Sequence, residues 1–275
     1  MQQDRIKAES SSLEYYYSLN GDTPLVCFHG YGENADSFTF LEKALPAGYS
    51  LFAINLPFHG NTEWNEKSNF SPAILTEITS LILRKHFYTH YPSGKKMILA
   101  GYSLGGRIAL SIYEQIPEKV QKLVLLAPDG LKMNFWYWLA TQTRFGNWLF
   151  KQTMENPAWF FGLINTGRKL GLVNNSIFRF VQFYIKDAGI RRLLYQRWTV
   201  LRNCRPDIKN IKRLIQEKQT QVRLIYGRHD RIIQTSIGER FIKGIETHSQ
   251  LVIIHAGHHV LHEKHVKEIL PALLQ

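Results

Sequence analysis

Gly101-Tyr102-Ser103-Leu104-Gly105 is a G-x-S-x-G motif that lies between two contrasting stretches of the chain. The preceding residues 96–100 (KMILA) have the apolar character of a buried strand, and residues 107–115 (RIALSIYEQ) carry apolar residues at helical spacing. The motif therefore predicts a sharp strand-to-helix turn with Ser103 at its apex. Glycine at both ends suits such a turn because it tolerates crowded backbone geometry.

A serine hydroxyl is a weak nucleophile at neutral pH, so it needs a general base, and the base needs an acid that holds its tautomer and orientation. Two downstream residues are placed for these roles. Asp230 follows the apolar run 222–226 and His258 follows the apolar run 251–254, so each lies just beyond the C-terminal end of a predicted strand. The expected chain order is Ser103, Asp230, His258.

This order resembles that of the α/β-hydrolase superfamily, in which nucleophile, acid and histidine follow one another along the chain. The resemblance extends over nearly the whole sequence. Residues 25–32 (LVCFHGYG) are similar to the family's apolar strand that ends in His-Gly. Residues 55–62 (NLPFHGNT) are similar to its Asp-x-Pro-Gly-His-Gly-x-Ser loop, with Asn55 in place of the aspartate. The resemblance implies that the backbone N–H groups of Tyr31 and Leu104 form the oxyanion hole.

Alternatives remain open for the acid and the base. Asp129 follows another apolar run, and some family members place the acid there, although this aspartate also stands in a typical Pro-Asp-Gly turn. His259 adjoins His258, which is favoured because the family's base stands in a Gly-His pair. His29 and His59 match loop positions and are expected to be hydrogen-bonded loop residues rather than bases.

The expected substrate-binding residues flank the oxyanion loop and the nucleophile or belong to the segment that follows, and they are His29, Tyr102, Arg107, Trp136 and Trp138. Residues 101–107 (GYSLGGR) look like the corresponding stretch of the menaquinone-pathway lyases of this superfamily. In those lyases an arginine just after the nucleophile helps to bind acidic substrates. Arg107 is accordingly a candidate for that role, and an ordinary helix arginine is the alternative.

Apolar strand-like runs alternate with helix-like segments along most of the chain. Strands are predicted at 13–19, 50–55, 96–100, 120–127 and 222–226, and helices at 34–44, 72–87 and 107–115. This alternation predicts an α/β fold with a mostly parallel sheet flanked by helices. The pattern stops over 131–205. The resemblance implies a helical cap there, inserted between the sixth and seventh strands, with 1–130 and 206–275 forming the α/β-hydrolase core.

The predicted insertion 131–205 differs in composition from the rest of the chain. It contains 12 Lys and Arg residues against two acidic ones, so it carries a net +10 of the chain's +12, and it holds 16 of the 35 aromatic residues. Basic residues interleaved with Trp and Phe suit an anionic membrane surface, or a pocket for substrates with an apolar body and an acidic group. Nucleic acid is not an expected partner, because no recognised binding motif accompanies the charge.

Other features of the composition limit the class of protein. The two cysteines give no disulfide framework. The first twelve residues are polar, which predicts neither a signal peptide nor a membrane span and makes the cytoplasm the expected location. The histidine-rich C-terminal region lacks the spacing of a catalytic zinc centre, and no dinucleotide or Walker-type glycine loop occurs. Neither a metal nor a cofactor is therefore expected.

We expect a serine hydrolase that cleaves a small-molecule ester or thioester, with a largely apolar and in part anionic substrate, through an acyl-enzyme. Alternative activities of the same residues are carbon–carbon bond hydrolysis and a menaquinone-pathway-like lyase reaction. A non-catalytic ligand receptor is the alternative from another class, because a fold does not decide a function. The acyl group, the leaving group and the oligomeric state are not predicted.

Overall fold

The computed structural model describes residues 1–66, 70–87, 95–171, 173 and 175–275. These residues cluster into two compact units. The first, which we call the core unit, comprises Met1–Lys132 and Asn203–Gln275, and the second, the helical unit, comprises Met133–Arg202. The exact limits of the predicted insertion stay a prediction, and two of its residues, Leu172 and Asn174, lie outside the described residues.

The core unit contains an eight-stranded sheet in the order β1-β2-β4-β3-β5-β6-β7-β8. Its strands are β1 (Gln2–Ala8), β2 (Ser11–Ser18), β3 (Thr23–Phe28), β4 (Tyr49–Ile54), β5 (Met97–Tyr102), β6 (Val120–Leu126), β7 (Gln221–Gly227) and β8 (Ser249–Ile254). The pairs β1–β2 and β2–β4 are antiparallel, and the remaining pairs are parallel. This arrangement confirms the predicted α/β fold with a mostly parallel sheet.

Helices flank the central strands of this sheet. Those of the core unit are α1 (Leu41–Ala44), α2 (Pro72–Phe87), α3 (Leu104–Gln115), α9 (Ile208–Lys218), α10 (Thr235–Ile242) and α11 (Val266–Leu274). All six residues of β5 are buried, which requires cover on both faces of the sheet. Apolar side chains of α1 and α11 pack in one cluster with alternate residues of β3, β4 and β5, while α3 contacts β3, β5 and β6. The end of β5 is therefore held firmly.

The helical unit supplies the helices that lie between β6 and α9 in the chain. They are α4 (Phe135–Gln142), α5 (Arg144–Glu155), α6 (Ala158–Lys169), α7 (Asn175–Lys186) and α8 (Ala188–Val200). Side-chain caps define three of the helix starts, since Asn134, Thr143 and Asp187 accept hydrogen bonds from N–H groups in the first turns of α4, α5 and α8. Among the described residues, no helix combines the length and the apolar character that crossing a membrane requires.

Two local predictions differ from the structure. The helix predicted over 34–44 is wrong as a continuous element, because a 3-10 turn (Ala35–Phe38) and the short α1 replace it. Both the N–H and the hydroxyl of Thr39 bond to the carbonyl of Asp36, which closes a tighter turn than an α-helix has. The edge strand β1 has no counterpart among the predicted strands. Most of its side chains are polar and exposed, so it lacks the apolar signal of a buried strand.

Candidate active site

Ser103 lies at the predicted turn between β5 and α3, and its backbone is held in an unusual conformation. It has φ +50° and ψ −114°, a region that non-glycine residues rarely occupy. Its N–H donates to the carbonyl of Leu126 at 2.9 Å, and its own carbonyl accepts from the N–H of Asp129 at 2.8 Å. Strain of this kind persists only where the surroundings impose it, as it does at many reactive sites.

Glycines in and directly after the motif allow close contacts between the turn and the neighbouring backbone. A Cβ on Gly105 would lie 1.9 Å from the carbonyl oxygen of Phe28 in β3, and a Cβ on Gly101 would lie 2.2 Å from the carbonyl oxygen of Gly105. A Cβ on Gly106 would lie 2.4 Å from the side chain of Pro128. These are contacts with backbone or with a rigid ring, so glycine is a steric requirement here rather than a preference.

The side chains of Ser103, His258 and Asp230 form a continuous chain of hydrogen bonds. His258 Nε2 lies 3.0 Å from Ser103 Oγ, and His258 Nδ1 lies 2.7 Å from Asp230 Oδ2. Asp230 follows β7 and His258 follows β8, and these strands are parallel neighbours, so their C-terminal ends bring the two residues together. The structure thus assembles the three residues that the sequence predicts as nucleophile, acid and base.

The surroundings of Asp230 keep it ionised and correctly directed. Its side chain is fully buried, and burial alone would raise its pKa. Hydrogen bonds from His258 and from the N–H groups of Ile233 and Ile232 outweigh burial and hold the pKa of Asp230 below its ordinary value. These two N–H groups bind Oδ1 at 2.9 and 2.7 Å, which leaves Oδ2 for the histidine. An ionised carboxylate only accepts, so the proton of the His258 ring is on Nδ1 and the lone pair of Nε2 faces the serine.

The alternative acid and the alternative base make other contacts. Asp129 accepts from the guanidinium of Arg107 at 3.2 Å and from the N–H of Gly130 at 2.7 Å. His259 is 82% exposed in its side chain, against 13% for His258, and its ring faces Glu33 at 3.9 Å. Neither residue joins the hydrogen-bonded chain that ends at the serine.

Leu104 and Tyr31, the predicted oxyanion-hole residues, follow the ends of β5 and β3, which are parallel neighbours in the sheet. Leu104 is the first residue of α3, where backbone N–H groups have no partner within the helix and the helix dipole favours negative charge. Tyr31 belongs to the loop that follows β3, directly after Gly30. Their role as the two N–H donors beside the serine stays a prediction.

His29 and Tyr102, two of the expected substrate-binding residues, lie in the protein interior, and their contact with a substrate stays a prediction. His29 is fully buried, and its Nε2 accepts from the N–H of Leu56 at 3.1 Å, which places its proton on Nδ1, bonded to the carbonyl of Gly30 at 2.8 Å. Tyr102 is 2% exposed, and its hydroxyl donates to the backbone carbonyl of His258 at 3.1 Å. Both residues therefore form hydrogen bonds that connect loops of the site.

Arg107 is also buried, within α3, and its ion pair with Asp129 places its charge against that carboxylate. Trp136 and Trp138, the other two expected substrate-binding residues, lie on α4 of the helical unit, and both are exposed. Their contact with a substrate stays a prediction. Among the residues that the structure describes, no cluster of three or more His, Cys, Asp or Glu side chains is arranged to hold a metal ion.

A buried amide network, which sequence patterns do not reveal, supports the loop after β3. Asn55 Oδ1 accepts from the N–H of Ala35 at 2.7 Å, and its Nδ2 donates to Glu14 Oε2 at 2.6 Å. Burial would raise the pKa of Glu14, but hydrogen bonds from Asn61, Asn55 and Gln3 lower it overall. Asn55 thus ties the oxyanion loop to β2, and this is the position where the chain departs from the aspartate of the family loop.

Glu33 is a second acidic residue near His258 that sequence patterns do not single out. Its Oε2 is buried without a hydrogen-bond partner and lies 3.5 Å from the position that a Cβ on Gly30 would take, beside the ring of Tyr102. Burial raises the pKa of Glu33, although the charge of His258 opposes the shift. The carboxyl group of Glu33 therefore resists ionisation, although its negative charge would interact favourably with His258.

Comparisons with known proteins agree with this geometry. Residues 23–265 match the model of the alpha/beta hydrolase fold family. The uncharacterized hydrolase YugF of Bacillus subtilis is 25% identical over 251 residues, which cover 90% of this chain and 88% of that protein. The esterase Rv0045c of Mycobacterium tuberculosis is 34% identical over 115 residues, 41% of this chain and 36% of that protein.

A solved structure extends the likeness to the whole length. A thermophilic esterase from Thermogutta terrifontis superposes with a TM-score of 0.65 and 15% identity, covering 100% of both chains, which shows a shared fold. The family model covers most of this chain and includes the strand of the oxyanion loop, the serine turn and both downstream loops. The chain therefore belongs to the α/β-hydrolase family and is a hydrolytic enzyme.

Proposed function

We propose that this protein is a serine esterase, which cleaves a small-molecule carboxylic ester or thioester through an acyl-enzyme on Ser103. The hydrogen-bonded chain from Asp230 through His258 to Ser103 is the observation that carries the proposal. The relatives named as esterases support the same reaction class. A receptor without turnover has no need of a serine in a strained turn that is hydrogen-bonded to an oriented base.

The geometry gives each group a role in the reaction. His258 Nε2 accepts the proton of Ser103 as Oγ attacks the ester carbonyl, and ionised Asp230 stabilises the imidazolium that forms. The N–H groups of Leu104 and Tyr31 donate hydrogen bonds to the developing oxyanion. Each such donor stabilises the transition state by about 3 kcal/mol. The imidazolium then protonates the leaving alcohol or thiol, and a water molecule, activated by the same histidine, releases the acid.

The contacts of Arg107 bear on the substrate class. The lyase alternative relied on this arginine to bind an acidic substrate, but its guanidinium is buried against the carboxylate of Asp129. Glu33 adds a carboxyl group near the histidine. Both observations favour an acyl group without a charge close to the scissile bond. We therefore infer that the acyl group of the substrate is neutral and largely apolar, without an anionic group close to Ser103.

The test is hydrolysis of p-nitrophenyl esters from acetate to palmitate by the wild type, Ser103→Ala, His258→Ala and His259→Ala. We expect kcat/KM to fall at least about 10³-fold in the first two variants, because the nucleophile and the base act as one unit. His259→Ala is the matched control, since it removes an exposed imidazole one residue away, and it should stay within about threefold of the wild type.

Covalent labelling separates the alternatives. We expect a fluorophosphonate probe to label the wild type and to leave Ser103→Ala unlabelled. Labelling without turnover of any ester would favour carbon–carbon bond hydrolysis on the same residues. A wild type that neither turns over esters nor reacts with the probe would refute the proposal and favour a receptor.

A further inference from the structure

The helical unit carries most of the large apolar side chains that are exposed among the described residues. Among the described residues, fourteen large apolar side chains are exposed, and eleven of them lie in Met133–Arg202. Seven of the eleven are aromatic, namely Phe135, Trp136, Trp138, Phe145, Trp148, Trp159 and Phe183. Single exposed apolar residues are ordinary on protein surfaces, but concentrated ones mark sites of interaction.

These exposed aromatic residues are not the core of the helical unit, because its helices have separate buried positions. In α5, Phe145 and Trp148 are 69% and 57% exposed, while Gly146 and Met154 of the same helix are buried. A Cβ on Gly146 would lie 2.0 Å from the carbonyl oxygen of Leu139, so the inner face of α5 packs tightly on α4. The helix is therefore apolar on an inner face and aromatic on an outer one.

The exposed rings on α4 and α5 form clusters rather than isolated points. The ring centre of Phe135 lies 5.4 Å from that of Trp136 and 6.1 Å from that of Trp138, and those of Phe145 and Trp148 are 6.0 Å apart. The two clusters lie on helices that pack on each other, and we call their five residues together the aromatic face. Tryptophan and phenylalanine of this kind are favoured at the boundary between lipid headgroups and acyl chains.

The charge of the helical unit is strongly positive. Residues 133–202 hold ten Lys and Arg against two acidic residues, a net +8, whereas the rest of the chain holds 24 against 20, a net +4. Both acidic residues are engaged within the unit, because Glu155 pairs with Lys151 and Asp187 caps α8 through the N–H of Ile190. Basic side chains such as Arg144, Lys169 and Arg192 are exposed. The favoured partner is therefore an anionic surface.

We propose that the helical unit docks on an anionic lipid bilayer, with the aromatic face at the level of the acyl boundary and the basic side chains on the headgroups. Anionic lipid supplies both an apolar layer for the rings and a dense negative charge for the lysines and arginines. A second copy of this chain fits less well, because two surfaces of +8 repel each other. The proposal does not depend on the esterase activity, since it concerns binding alone.

The test is co-sedimentation of the full-length protein with sucrose-loaded vesicles of phosphatidylcholine alone or with 30% phosphatidylglycerol, in 50 mM and 500 mM NaCl. We expect binding to the anionic vesicles at 50 mM salt, at least tenfold weaker binding to phosphatidylcholine, and loss of most binding at 500 mM salt, where charges are screened. No binding to anionic vesicles at 50 mM salt would overturn the proposal.

Variants test which surface binds. Phe145→Ala/Trp148→Ala should weaken vesicle binding at least tenfold, whereas Leu19→Ala, an exposed leucine of the core unit, should not change it. Neutralising Arg144, Lys169 and Arg192 to Gln should weaken it more than the same change at Lys7, Lys209 and Lys218 of the core unit. Equal losses in the two sets would refute this surface.

Two further readouts exclude other occupants and separate this proposal from the esterase activity. Hydrolysis of p-nitrophenyl acetate by Phe145→Ala/Trp148→Ala should match the wild type, so a failure of vesicle binding is distinct from a failure of catalysis. Analytical ultracentrifugation that shows a dimer which this double variant dissociates would overturn the proposal in favour of a second copy. Salt-sensitive binding to single-stranded DNA in place of vesicles would overturn it in favour of nucleic acid.

Discussion

The serine turn of the core unit and the outer surface of the helical unit obey opposite constraints. At the turn, Gly105 lies against the carbonyl of Phe28 with no room for a Cβ, and Ser103 is held at positive φ. On α6 of the helical unit, Gly162 has nothing within 4 Å of the position that a Cβ would take. At the serine turn, close backbone packing therefore determines which residue can stand at each position. On the surface of the helical unit there is room for other side chains, and only the overall composition of that surface is characteristic. Substitutions in the two regions should therefore have opposite effects.

Gly105→Ala tests the tight region and should have the largest effect. A Cβ at 1.9 Å from the Phe28 carbonyl oxygen forces α3 away from β3, since neither backbone can rotate out of the way. We expect insoluble protein or a loss of more than about 4 kcal/mol in the free energy of unfolding, which places this change among the exceptional ones. Urea denaturation followed by circular dichroism measures it.

Gly257→Ala is the control, because a Cβ at that position, next to His258, meets nothing within 4 Å. It should leave the urea midpoint close to that of the wild type. A Gly105→Ala protein with a wild-type midpoint would show that the turn is less crowded than the structure indicates.

Asp230→Asn tests the hydrogen-bonded chain itself. The amide nitrogen can donate to His258 Nδ1 and so favour the wrong tautomer, and we expect kcat/KM to fall about 10³- to 10⁴-fold. Asp129→Asn is the matched change at the alternative acid, which pairs with Arg107 instead, and it should cost less than about tenfold. Steady-state hydrolysis of one p-nitrophenyl ester compares them. Similar losses in both variants would mean that Asp129 takes part in orienting the base.

Glu33→Gln tests the buried carboxyl group by the pH dependence of stability. Burial raises the pKa of Glu33 in the folded state, so its contribution to stability is present below its ordinary pKa and is lost as the pH rises through the raised value. Glutamine resembles the neutral carboxyl at every pH. We expect the variant to unfold at a higher temperature than the wild type at pH 7–8 and to match it near pH 4.

In the same measurement, Asp230→Asn should change the unfolding temperature with pH in the opposite direction to Glu33→Gln. The pKa of Asp230 is lowered in the folded state, so its contribution is present above its ordinary pKa and is lost as the pH falls through the lowered value. This variant should unfold below the wild type at neutral pH. A difference between Glu33→Gln and the wild type that does not vary with pH would argue that the carboxyl group is not buried.

Much of the fold could be predicted because its signals are local. The apolar runs that became β5 and β7 are buried on both faces, and α2 covers the residues 72–87 that the apolar spacing predicts. The proximity of Ser103, Asp230 and His258 followed from their places after parallel strands, although their chemical roles stay a prediction. The strands and the helix need only one short stretch of sequence at a time, whereas the proximity of the three residues also needs the parallel arrangement of their strands.

The features that were missed depend on contacts between distant parts of the chain. The buried environment of Glu33 requires Gly30 and Tyr102 to lie beside it, and Asn55 acquires its role only when Glu14 and Ala35 meet it from other elements. Tyr102 was expected to bind substrate because it adjoins the nucleophile. Its hydroxyl donates to the backbone carbonyl of His258, a contact between distant parts of the chain that the motif alone does not reveal.

Gly162→Ala tests the open region and should have the smallest effect, of opposite sign. Gly162 lies inside α6, where glycine costs about 0.5–1 kcal/mol relative to alanine because the unfolded chain loses more backbone freedom on folding. Because there is free space around the new methyl group, we expect the free energy of unfolding to rise by about this amount, which urea denaturation would show as a higher midpoint. A decrease would mean that another surface covers this side of α6 in solution. In that case the comparison would hold only for the serine turn, and the exposed face of α6 would itself be an interface.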